Sequence, residues 1–337
     1  MSRRRFIKYL GSLAGAVGLA GSTYYVLRHL AQGEPAISTS STTALTSSTT
    51  ALTSSMTIPT VTTADVPAGS AIFGIPSETD LLETGRIDID GVGTFQFDPA
   101  EVQMVRKDIF VEGHFSVFDV LTYLSNRGQI QMKYHFDPEI NTHVIDELND
   151  QGNWWFFAYY DGGWPERNAF RMDHFPVKDR TTIRIVREDH QTLQRRYDVF
   201  REEVARRTQP DRIVIPEVTI RGPTVGLSFD DVEVTGHNLR KDTLQPGVIT
   251  AVDVIMSLAE QGKLTYDLLW RETIRGNLVK NYWVERIDDD KAYGGCGFVY
   301  EAGSLNFRGF SGNHIHIPTD IRVLNSPEYV EFFWICL

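Results

Sequence analysis

Residues 116–132, SVFDVLTYLSNRGQIQM, align without a gap with residues 250–266, TAVDVIMSLAEQGKLTY. Asp119-Val120, Leu124 and Gly128 return as Asp253-Val254, Leu258 and Gly262. Upstream at the same spacing, Arg106-Lys107-Asp108 and Gly113 return as Arg240-Lys241-Asp242 and Gly247. Further back, Phe97-Asp98 and Glu101-Val102 return as Phe229-Asp230 and Glu233-Val234, with two residues inserted. Such a repeat constrains the fold more than any other feature, because each copy has to be one structural unit and the chain has to hold two.

Both copies read alike. Two short extended pieces, 94–97 and 101–105 in the first copy, lead to a helix. Ser116 or Thr250 is its N-cap, apolar residues follow at 117, 120, 121 and 124, and Gly128 or Gly262 ends it. A strand comes next (Ile130 to Tyr134; Leu264 to Leu268), then an aromatic strand. An alternating strand closes the unit, Thr182-Ile183-Arg184-Ile185 or Asp320-Ile321-Arg322-Val323. The pattern predicts an α+β fold of two tandem β-grasp-like domains, 71–188 and 211–337, each a mixed sheet with one packed helix. Between them, within 189–210, residues 190–207 read as a charged linker helix. Its apolar stripe of Leu193, Tyr197, Phe200 and Val204 is expected to lie on one of the domains.

The N-terminal segment reads differently. Ser2-Arg3-Arg4-Arg5-Phe6-Ile7-Lys8 resembles the twin-arginine export signal at every specified position, and Tyr9 to Leu27 carries no charge. Residues 1–30 are therefore expected to be a signal or signal anchor, an apolar helix handled by the twin-arginine translocase. Nineteen uncharged residues approach the roughly 20 that span a bilayer, and cleavage or retention is left open. Residues 31–70 follow as a stalk. Their Ser/Thr tract holds a tandem of seven, TTALTSS, and buries too little apolar area to offset its ordering entropy, so disorder is expected.

The stretch GNWWFFAYYDGGWP, residues 151–164, is the densest in aromatics: seven of the eleven residues from Trp154 to Trp164. The helix pattern Ser/Thr-x-x-Asp-Val-Leu, this aromatic strand, and Val177-Lys178-Asp179 ahead of the alternating strand together resemble the transcobalamin C-terminal-like domain. The resemblance covers about residues 85–187, and 213–337 more weakly. Asp161 stands where the family has Asn, and Asp179-Arg180 where it has Gly-Asp. Copy two keeps only Phe298, Tyr300 and Gly303 of the aromatic strand. The resemblance implies a β-grasp-like fold. In transcobalamin this domain is one wall of a cobalamin cleft, so a corrinoid is the ligand it would bring, although fold does not carry function. No cofactor is otherwise expected.

Side chains alternate across a strand, so Trp155, Phe157 and Tyr159 share one face and Trp154, Phe156 and Tyr160 the other. Aligning Phe157 with Phe298, Tyr159 with Tyr300 and Gly162 with Gly303 keeps the first set apolar in both copies. That set is expected under the helix. The second set, with Trp164 at its rim, is then unique to copy one and offers roughly 450–750 Å² of apolar surface. Trp154, Phe156, Tyr160 and Trp164 are the expected ligand-binding residues, for a flat or apolar ligand or an envelope-protein partner. The other reading has the face covered by the chain itself: the 190–207 helix, the 135–150 loop or the second domain.

Other chemistry is sparse. A net charge of −11 with scattered bases argues against nucleic acid. His314 and His316 would share a strand face, but two ligands without a third give no metal site. Asp88, Asp90 and Asp288-Asp289-Asp290 read as solvated turns, and the recurring Arg-Lys-Asp as a structural turn or salt bridge. A catalytic role is not expected, since only a polar cleft lined by Asp173, His174 or His314 and His316 would supply one. Cys296 and Cys336 are candidates for a disulfide in an oxidising compartment. The expected function is an exported envelope protein acting as a non-catalytic binding module, or else a structural or adhesive component whose aromatic face packs domains or subunits.

Overall fold

The computed structural model describes residues 66–76, 84–161, 170–207, 209, 211–309 and 317–336. The signal region, the stalk through residue 65, Trp164, His314 and His316 lie outside the described residues. The fold is mixed α+β, mostly sheet, with three α-helices among the described residues, and buried residues from both halves join in one apolar cluster. None of these helices is long and apolar enough to cross a membrane.

In the first half, β2 (Gly85–Ile89) and β3 (Gly93–Phe97) form a hairpin whose turn holds Gly91 at φ +73°. Helix α1 (Val117–Asn126) starts at a capping box of Ser116 and Asp119 and is followed by Gly128 at φ +69°. Strands β4 (Met132–Asp137) and β5 (Thr142–Leu148) form a two-stranded arm, and β6 (Trp154–Tyr159) and β7 (Thr182–Arg187) return to the sheet. The sheet order is β3-β2-β7-β6, with β2 and β7 parallel and the outer pairs antiparallel.

Helix α2 (His190–Arg206), capped by Asp189, connects to the second half. There β8 (Arg212–Arg221), β9 (Gly226–Thr235), α3 (Ala251–Glu260), β10 (Tyr266–Ile274), β11 (Asn277–Ile287), β13 (Cys296–Gly303) and β14 (Tyr329–Cys336) follow in the same sequence, with a two-residue β12 (Asp290–Lys291) added. The sheet order is β9-β8-β14-β13, with the same strand directions. The β4–β5 and β10–β11 arms even share a bulge, between the Lys133 and Tyr134 pairs in one and the Asp267 and Leu268 pairs in the other.

Two expected strands are absent. Residues 101–105 are not extended, because Pro99 cannot donate to a ladder and Asp98 caps a short 3-10 turn over Pro99–Glu101. Residues 320–323 form a turn in which the Pro318 carbonyl accepts from the Ile321 and Arg322 N–H groups, and the closing strand of this half is Tyr329–Cys336. Alternation misled here because the polar residues in the pattern, Asp320 and Arg322, are buried on internal partners rather than facing water.

The halves meet through segments that the repeat makes equivalent. Phe110 pairs antiparallel with Leu244, the Val111 N–H donates to the Thr243 carbonyl at 3.1 Å, and the Gln245 N–H donates to the Ile109 carbonyl at 2.8 Å. Phe110 thus faces its own counterpart, and the two hydrogen bonds exchange under the repeat, the signature of a local twofold contact. A second pair of contacts lies close to the same relation. Lys178 donates to the Val279 carbonyl, and Asn325, in the position matching Lys178, accepts from Asn141 Nδ2 at 3.0 Å.

One element breaks the symmetry. Strand β1 (Ala71–Phe73), from ahead of the first half, lies parallel on the outer edge of β10 in the second, with Ile72 opposite Leu268. It is pinned by Tyr266 N–H to Ser70 Oγ (3.0 Å), Tyr282 O–H to the Gly74 carbonyl (3.1 Å) and Arg286 Nη2 to the Gly69 carbonyl (2.7 Å). Gly74 has φ +78°, and a Cβ there would come within 2.9 Å of Trp270 Cβ, so the chain passes over Trp270 only as glycine. The matching edge, that of β4, has no partner strand among the described residues.

Candidate functional site

Strand β6 pairs with β7 in a register that puts Phe156 beside Ile185 and Ala158 beside Ile183, which in turn sit beside Ile89 and Ile87 on β2. All six side chains lie on one sheet face, and all are buried. Trp154 (2 % exposed), Phe156 (0 %) and Tyr160 (5 %) belong to that face, so they are core. The Trp154 indole N–H donates to the Gln151 carbonyl at 2.6 Å. Phe156 meets Phe175 edge-on at 5.8 Å, and the Tyr160 hydroxyl donates to the Pro176 carbonyl at 2.7 Å. The expected open binding face of Trp154, Phe156 and Tyr160 therefore does not exist.

The physical reason is a one-residue slip. Tyr300 lies beside Phe332, and Phe332 beside Ile220, a buried row like that of Ala158, Ile183 and Ile87, so Tyr300 shares its face with Ala158 and Tyr160 and not with Tyr159. Because side chains repeat every two residues along a strand, a slip of one exchanges the two faces. Phe157 and Tyr159, expected under the helix, are only half-buried. Trp155 is buried from the other side by α2, with Tyr197 and Phe200 at 6.4 and 6.2 Å and the Arg196 guanidinium at 5.1 Å from its ring. A recess beside Trp154 and Trp155, lined also by His143, Met172 and Phe200, has a volume of about 10 Å³, room for one water and no larger ligand.

The repeated Arg-Lys-Asp segments open two sister ion networks. Arg106 donates to Asp108 (2.6 Å), to Asp173 (3.1 Å) and to the Asn141 carbonyl (3.2 Å); Arg240 donates to Asp242 (2.8 Å) and Asp320 (2.9 Å). Asp173 also accepts from Thr142 Oγ1 (2.5 Å) and the His143 N–H (3.0 Å). Burial works against the Asp173 carboxylate, but its charged and donating neighbours hold it below the ordinary carboxylate range. Asp320 accepts only through Oδ2, from Arg240 and the Tyr282 N–H, and its Oδ1 has no partner; burial wins and its carboxyl is raised. His174 is driven well below its usual range, first by burial and then by Arg106 and Arg171, while its Nδ1 sits 3.1 Å from the Asn325 amide. Asp173 and His174 are thus bound into an interior network, not the lining of an open cleft.

The acidic turns are structural. Asp88 accepts from Thr94 (2.5 Å) and Arg86 (3.1 Å), and Asp90 pairs with Arg184 (2.9 Å). Asp290, expected to be solvated, is buried and accepts from Thr224 N–H and Oγ1 and from the Val225 N–H, closing the β8–β9 turn. Among the described residues no group of three His, Cys, Asp or Glu is placed to hold a metal. Cys296 and Cys336, directly opposite on β13 and β14, are joined as a disulfide.

The arm of the first half carries two exposed rings side by side. Tyr134 and Phe136 on β4 are 43 % and 44 % exposed. His143 fills the angle between them, stacked on Phe118 at 4.8 Å and lying 6.0 and 5.1 Å from the two rings. The Arg106 guanidinium is 5.5 Å from the Phe136 ring. Sequence reasoning passed over this site because Met132, Tyr134 and Phe136 look like any half-buried strand. The available cue was the pairing of this strand with Tyr266, Leu268 and Trp270, but nothing in the sequence says that only the latter carries a covering strand. Comparison with protein-family models, curated proteins and solved structures gives no match.

Proposed function

We propose that this chain is an exported cell-envelope protein working as a non-catalytic scaffold, built from two β-grasp-like copies of one unit joined as an internal pseudo-dimer. The observation that carries the reading is the equivalent pairing of residues 109–111 with residues 243–245, together with the shared strand order of the two sheets. The aromatic wealth of the first copy then serves packing: Trp154, Phe156 and Tyr160 lie in the core and Trp155 seats α2. The groups that would make an enzyme are engaged internally, Asp173 and His174 with Arg106, and Asp320 with Arg240.

The export half of the proposal rests on Ser2 to Lys8 and the uncharged segment after it, which would deliver a body already folded. A disulfide between Cys296 and Cys336 suits the oxidising side of the membrane. The test is fractionation of cells making the full chain, with protease added outside. The wild-type body should be reached by the protease, and Arg3→Lys/Arg4→Lys should hold it in the cytoplasm. A wild-type protein found only in the cytoplasm would end the export reading.

A further inference from the structure

We propose that a second copy of this chain covers the outer edge of β4, pairing antiparallel with the same strand about a twofold axis at His135. The inference rests on the scaffold reading and names the partner of the β4 edge.

The first observation is the precedent inside the molecule. The two arms share their fold and their bulge, yet β10 carries β1 and β4 carries nothing among the described residues. Leu268, beside β1, is 0 % exposed, and its counterpart Tyr134 is 43 % exposed. No residue of β4 is buried. An edge with bare backbone donors and acceptors beside exposed rings is a template for strand addition.

The second observation selects the occupant. The strand reads Met132-Lys133-Tyr134-His135-Phe136-Asp137 and is complementary to its own reverse. With the axis at His135, Tyr134 faces the partner's Phe136, and Lys133 faces the partner's Asp137. Aromatic and opposite-charge pairs are the favourable cross-strand pairs, and each occurs twice by symmetry. Four rings would meet on one face, flanked by the two His143 side chains. On the other face each His135 keeps Asp146 at 3.0 Å and each Lys133 keeps Glu147 at 2.5 Å. Moving the axis to Tyr134 would set Lys133 against His135, and moving it to Phe136 would set Tyr134 against Pro138, beyond the end of the strand.

The experiment uses the full chain, purified in detergent. Since no described cysteine is free, an introduced thiol reports on its own surroundings. His135→Cys should give a disulfide-linked dimer under oxidation, because directly opposed residues of antiparallel strands lie within disulfide reach. Lys133→Cys should not, and Lys133→Cys combined with Asp137→Cys should. Sedimentation from roughly micromolar to millimolar protein should show a monomer–dimer equilibrium, weakened about tenfold or more in Phe136→Lys at unchanged Tm. A wild-type monomer throughout, with no His135→Cys dimer, overturns the proposal. A dimer indifferent to Phe136→Lys, or a different protein seated on β4 of a monomeric chain, overturns it equally. A monomer still exposed outside the cell would leave the export reading standing, and a dimer retained in the cytoplasm would remove export alone.

Discussion

Asp173 and Asp320 occupy equivalent places beside Arg106 and Arg240, yet their carboxyls are driven in opposite directions. The difference is the number of donors: Asp173 gains Thr142 Oγ1 and the His143 ring, while Asp320 keeps one oxygen bare. For Asp173, lowered in the folded state, the linked stability is present above its ordinary value of 3.8 and is lost as pH falls below it. For Asp320 the sign reverses, with stability present below 3.8 and lost as pH rises through the raised value. Asp173→Asn should therefore cost about 3–5 kcal/mol at neutral pH, since it strips charge from a fully used acceptor beside a buried Arg. Asp320→Asn should cost less, about 1–2 kcal/mol, because it removes a charge that burial already disfavours and that holds fewer donors. Urea unfolding of both variants at pH 7 checks the order, and equal losses would refute the account. Phe156→Ser, at a ring with no exposure, should cost about 3–5 kcal/mol in the same assay. A loss under about 1 kcal/mol would mean that the strand is not core.

At the scale of elements, the contact between the halves is a short antiparallel pairing of counterpart residues, not a broad sheet. Phe110 and Leu244 are both buried there, one opposite the other. Their Ala variants should be non-additive, with a coupling of about 0.5–3 kcal/mol in a double-mutant cycle, whereas distant core residues add. A coupling near zero would show that the segments touch without supporting one another. Helix α2 has a comparable role. Its Leu193, Phe200 and Val199 are buried, and Phe200 reaches Trp155, so the charged connector predicted from its narrow stripe is fixed to the first half.

For the whole molecule, the disulfide is the only covalent tie and it closes the second half. Cys296 and Cys336 lie 40 residues apart, a loop whose closure in the unfolded chain corresponds to about 4 kcal/mol. Reduction should lower the Tm by roughly 5–15 °C, read by calorimetry with and without dithiothreitol. An unchanged Tm would show that the bond adds nothing to folding. The asymmetry of the whole follows from β1. A strand from the N-terminal side closes the far half's arm and leaves the near half's arm open, so two sister units present different surfaces.

Local chemistry was legible in the residues themselves. The repeat, the capped helix starts at Ser116 and Thr250, the connector helix expected over 190–207 and found over His190–Arg206, and the mixed α+β class all follow from short-range periodicity, caps and glycines. Which face of β6 is inside did not follow, because a strand's two faces differ by one residue of register and both were aromatic. That was decided by the register of β6 on β7, which sets Phe156 and Ala158 beside the buried Ile185 and Ile183. Nor could the sequence place β1 on β10, more than 190 residues away, or leave Tyr134 and Phe136 uncovered. Such contacts are settled only when distant segments compete for the same edge, and that competition exists in the tertiary structure alone.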